Sequence, residues 1–66
     1  MDLFEKQIIW FINDGGDDRY MYWAIHNDEY YFLIGNDFPQ EERYSLCNSD
    51  RELCRFTEWP QNWKLQ

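Results

Sequence analysis

Basic residues are scarce in this chain: six lysines and arginines stand against thirteen aspartates and glutamates, for a net charge of −7. A surface so poor in cations is not built to bind DNA, RNA or anionic lipid directly, because those ligands are held by Lys and Arg. Long apolar runs are missing too, and nothing approaches the roughly 18 residues needed to span a membrane. The opening Met1-Asp2-Leu3-Phe4-Glu5 lacks the basic start and apolar stretch of a secretory signal. A cytoplasmic protein with reduced thiols is therefore the expectation. Cys47 and Cys54 are too few for a disulfide framework and are not spaced as zinc ligands. They enclose a segment short enough for a hairpin to set them opposite each other, but are expected as small buried hydrophobes. His26 is the only histidine, and no phosphate loop, nucleophile elbow or metal-ligand pair accompanies it. No catalytic residue, metal or cofactor is expected, and the chain does not read as an enzyme.

Aromatic residues are what the chain has in plenty, at 21% of its 66 positions. A chain of this size buries only about 60% of its unfolded surface and needs a dense core. Buried rings supply one, each removing roughly 150–250 Å² from water. Their abundance also argues against disorder. One small domain over residues 1–66 is expected, with residues 60–66 as a tail that packs through Trp63 or frays.

Apolar runs alternate with polar turns. Gln7 to Ile12 is followed by Asn13-Asp14-Gly15-Gly16-Asp17-Asp18, Tyr20 to Ile25 by His26-Asn27-Asp28-Glu29, and Tyr30 to Ile34 by Gly35-Asn36-Asp37 and Pro39. Aromatic and β-branched runs punctuated this way read as strands of an antiparallel meander. Arg43 to Cys47 offers a fourth strand and Leu53 to Trp59 a fifth. The expected fold is mainly β, a sheet of four to five strands with room for one short helix. The alternative is an α+β fold. Phe4, Ile8 and Phe11 or Ile12 also lie at helical spacing, so residues 2–12 admit a helix. Ser49 and Glu52 fit a capping box that would start another near residues 50–56.

Ten of the thirteen acids fall in the first 42 residues, where only Lys6 and Arg19 oppose them. They gather in the turns. In a meander the first and third connections share one end of the sheet, which would bring Asp14, Asp17 and Asp18 beside Asp37, Glu41 and Glu42. Asp28 and Glu29 would sit at the other end. Turn acids ordinarily cap local amides and face water. A rim of six would also focus a negative field on a cationic partner and imitate the spaced charges of a nucleic acid.

Both faces of the second and third runs are apolar, and a domain this small has little material to cover two faces. Trp23, Tyr30 and Tyr31 are the candidate apolar anchors, since Tyr and Trp dominate binding hot spots. Alternatively Phe56, Trp59 and Trp63 fold back as a cover. The function expected on these grounds is an acidic inhibitor that imitates DNA or RNA, of the kind phages and mobile elements direct against host defence or repair. Its partner would be a basic, nucleic-acid-binding protein. Two other readings are a module that self-associates as a homodimer through its aromatic face, and an immunity protein for a basic nuclease toxin.

Overall fold

Ile8 and Trp10 are buried while Ile9 between them is half exposed, the two-residue period that a strand imposes on its side chains. In the computed structural model, which describes residues 2–15 and 19–66, this segment is strand β1 (Ile8–Ile12). A single 3₁₀ turn at Asp2–Glu5 precedes it. The first run is thus a strand, and the helix considered for residues 2–12 shrinks to one turn. Strands β2 (Tyr20–His26), β3 (Glu29–Gly35), β4 (Tyr44–Asn48) and β5 (Glu52–Phe56) continue an antiparallel meander. The fold is mainly β.

Two turns show why these residues reverse the chain. Between β2 and β3, Asn27 and Asp28 both take positive φ, 53° and 67°, and His26 pairs with Glu29 across them. That is a two-residue hairpin of the type that matches strand twist, and Asn and Asp tolerate its left-handed conformation. Between β4 and β5, the Asn48 side-chain oxygen accepts the amides of Asp50 and Arg51 at 2.8 and 2.9 Å. Asn48 thereby supplies the acceptor that closes the turn, and the capping-box helix near residues 50–56 does not form. Residues 52–56 are strand.

The sheet exceeds the expected four to five strands. A sixth, β6 (Trp63–Leu65), lies within the segment read as a tail and pairs parallel with the outer edge of β1. The strand order is β5-β4-β3-β2-β1-β6, a mixed sheet. Three residues carry no readable period, and a pure meander offers no place for a parallel strand. Packing explains the element better: Trp63 is nearly fully buried, and its indole donates to the Leu3 carbonyl at 2.9 Å.

The sheet rolls so that its two edges approach. Phe56 of β5 and Trp63 of β6 meet edge to face with ring centroids 5.4 Å apart. Inside the roll, Trp63 also contacts Phe4, Trp10 and Trp59 at 5.4, 5.0 and 5.6 Å. Tyr22 and Tyr44 pack on Trp59. Ile8, Ala24, Leu33 and Leu46 complete the buried core. Phe56, Trp59 and Trp63 thus pack within the inner core and do not fold back over the second face of the sheet.

Two buried tryptophans differ in one respect. Trp63 has a hydrogen-bond acceptor, whereas the Trp10 indole nitrogen is fully buried with no partner among the described residues. An unpaired buried donor costs about 1–3 kcal/mol, and so does orphaning a buried acceptor. Trp10→Phe removes the first cost, while Trp63→Phe creates the second at Leu3. Urea melts should place Trp63→Phe below Trp10→Phe by about 1–2 kcal/mol. Equal losses would show that the Leu3 bond contributes nothing.

Candidate interaction surface

The outer face of the sheet is uncovered. Cross-strand register places Phe11 opposite Trp23, Trp23 opposite Phe32, and Ile25 opposite Tyr30 on this face. A register shift between Tyr20 and Tyr22 turns Tyr20 outward as well, opposite Ile34. The rings form a continuous strip. Phe11 stacks on Trp23 at 4.8 Å, Trp23 reaches Tyr30 at 6.5 Å, Tyr30 lies parallel to Phe32 at 6.3 Å, and Tyr20 meets Phe32 at 5.4 Å. Ile9, Ile25 and Tyr30 each keep 51% of their surface exposed. Single exposed apolar residues need no explanation, but a contiguous patch on a small protein marks an interaction site.

Toward β4 and β5 the same face becomes polar. Buried Ser45 sits opposite Arg55, and Cys47 opposite Glu52. The Arg55 Nε donates to both Glu52 oxygens at 3.2–3.3 Å, and its Nη1 donates to Glu41 at 3.2 Å. Hydrogen bonds from Ser45 and then Arg55 hold the Glu52 carboxyl below its usual range. A carboxylate held down in this way supports the fold above its unfolded pKa, and that support fades as pH falls through the lowered value. Asn36 donates to Ser45 at 2.9 Å and ties the β3–β4 loop to this strip.

Cys47 and Cys54 are not joined in a disulfide and do not face each other; Leu46, not Cys47, pairs with Cys54. Burial first, then the charge of Glu52, pushes the Cys47 thiol above its ordinary range, and burial does the same to Cys54. Only the thiolate attacks alkylating reagents. Iodoacetamide at mildly alkaline pH should therefore modify both more slowly than a free cysteine, with the rate restored in urea. Modification at the free-thiol rate in the folded protein would contradict this placement.

The acids are distributed less evenly than the turns alone imply. The β1–β2 and β3–β4 connections share one end of the sheet, so Asp14, Asp37, Glu41 and Glu42 lie there. Asp17 and Asp18 fall outside the described residues. Two of the four are already engaged within the chain: Glu41 with Arg55, and Glu42 as acceptor of the Thr57 hydroxyl. Arg43 in the same loop lies over the Phe38 ring at 4.1 Å. The array at this end is partly satisfied internally.

At the opposite end Asp28 and Glu29 of the β2–β3 hairpin meet Asp50 of the β4–β5 turn. Together with Tyr30, Asn48 and Ser49 they line a cleft of about 270 Å³.

The three anticipated anchors separate. Trp23 and Tyr30 share the open face, but Tyr31 turns inward, packs against the core and faces Ala24 across the ladder. Burial and the neighbouring Glu29 carboxylate, which accepts its hydroxyl, raise the Tyr31 pKa. Adjacent strand residues point to opposite faces, so Tyr30 and Tyr31 cannot serve one flat partner. Sequence reasoning missed Phe11, Ile25 and Phe32 as members of the surface, although counting by twos from Trp23 and Tyr30 finds Ile25 and Phe32. It also missed Asp50, whose place depends on the β4–β5 turn.

Among the described residues no group of three His, Cys, Asp or Glu side chains is arranged to hold a metal ion, and no helix is long and apolar enough to cross a membrane. No protein-family model, curated protein or solved structure matches the chain.

Proposed function

We propose that this chain is a small acidic binding protein that occupies the nucleic-acid-binding surface of a basic partner, in the manner of an anti-defence or anti-repair inhibitor. One observation carries the reading: an uncovered aromatic sheet face on a molecule of net charge −7, with carboxylates at both ends of that sheet. Charge steers the encounter and selects a cationic partner, while the rings of the open face supply the holding energy once the partner covers them.

The test is competition. The purified chain is added to a panel of basic DNA- and RNA-binding proteins carrying labelled nucleic acid, at low and at high salt. Displacement at low salt that weakens at least tenfold as salt is raised supports the reading, because exposed charges are screened over about 8–10 Å. Displacement from no member of the panel, or displacement indifferent to salt, would sink it.

The apolar character of the open face also favours a second reading, self-association through that face. Sedimentation across a concentration series distinguishes the two; a monomer at high micromolar concentration eliminates the second.

A further inference from the structure

The open face and the cleft at the Asp28–Asp50 end are continuous, because Tyr30 belongs to both. Three carboxylates and two neutral polar residues complete the lining, with no lysine or arginine among them. No basic residue lines the cleft, where Glu29 alone is engaged by the Tyr31 hydroxyl from the inner side; at the other end of the sheet Arg55 and Thr57 engage Glu41 and Glu42. A half-exposed tyrosine beside carboxylates suits one type of side chain above others. The planar guanidinium of arginine stacks on aromatic faces and forks onto carboxylates, and its aliphatic stem lies on apolar surface. The chain itself contains the pairing: Arg43 stacks on Phe38 and Arg19 approaches Tyr20. A second copy of this chain fits the surface poorly, since it would bring another −7 toward the same carboxylates.

We infer that the open face and this cleft form one docking surface for an arginine-bearing segment of a basic protein, with the guanidinium lodged among Asp28, Asp50 and Tyr30. The inference rests on the partner being basic, as proposed above, and adds where it binds and through which side chain.

The probe is hexa-arginine amide, titrated into the isotope-labelled chain at low salt, with hexa-lysine amide in parallel. Amide shifts should cluster at residues 28–30 and 48–50 and at the Trp23 indole, with arginine binding several-fold tighter than lysine. Asp28→Asn combined with Asp50→Asn should weaken binding by about tenfold, the scale of one charge-assisted hydrogen bond. Asparagine also tolerates the positive φ at position 28. Tyr30→Ala should weaken it by about threefold, as expected for an exposed cation–π contact. All three substituted side chains are exposed, and circular dichroism checks that each variant folds. Shifts centred on Asp14 and Asp37, shifts spread evenly over the acids, equal affinity for the two peptides, or a concentration-dependent dimer that closes the face would each overturn the inference.

The two proposals fail separately. Arginine binding at the cleft without displacement of nucleic acid from any basic protein removes the function and leaves the surface. Displacement undiminished by the Asp28, Asp50 and Tyr30 changes removes the surface and leaves the function.

Discussion

Trp63→Ala should leave the chain largely unfolded at 25 °C, without a cooperative thermal transition and without its near-ultraviolet dichroism. The residue holds four aromatic neighbours, the Leu3 carbonyl and the pairing of β6. Replacing a buried Trp by Ala costs about 3–5 kcal/mol. A single core in a chain this small rarely supplies more than about 3–5 kcal/mol in total. The loss therefore matches the whole stability. Leu65→Ala, at a half-exposed position of the same strand, should cost less than about 1 kcal/mol. A cooperative transition retained by Trp63→Ala would mean that the core does not depend on the roll being held closed.

The second large effect concerns binding rather than folding. Trp23→Ser with Tyr30→Ser should reduce displacement of nucleic acid from a basic partner by a hundredfold or more, since hot-spot truncations each cost about 2 kcal/mol or more. The same pair should lower stability by only about 1–2 kcal/mol, because the rings sit on the uncovered face and lose chiefly their mutual stacking. Competition assays and urea melts on one preparation separate the two quantities. Comparable losses in both would mean that the outer strip is a second core and not a docking surface.

Much of the fold was legible because local chemistry and global packing agree. The β2 and β3 runs are rich in aromatic and β-branched residues, and Asn27-Asp28 is a hairpin signal as plain as any in the chain. The helix-or-strand ambiguity of residues 2–12 came from Phe4, Ile8 and Phe11 or Ile12, which fit helical spacing as well. Only tertiary contacts show that Ile8 and Trp10 are covered and Ile9 is not. β6 was not legible, since its partner lies at the other end of the sequence and a three-residue strand has no period. Of the candidate site, Trp23 and Tyr30 came from composition. Separating Tyr31 from them needed only strand alternation. The internal engagement of Glu41 and Glu42 could not be read, because their partners, Arg55 on β5 and Thr57 just past its end, are distant in sequence and set by sheet order.

The parallel pairing of β1 with β6 also governs the order in which the molecule can be assembled. The Trp63 indole reaches Leu3 across 60 positions, and the Asn62 amide reaches Glu5 across 57. Contacts this far apart in sequence form late, because the chain entropy of closing so large a loop is lost before they repay it. During folding the five-strand meander forms first, with the outer edge of β1 unpaired and Trp10 lacking its indole neighbour Trp63. Such an edge is a template for pairing with another chain. The interval before residues 63–65 dock is therefore when the β6 of one copy can pair with the open β1 edge of another, and the vulnerable moment for this protein is its folding, not its working life.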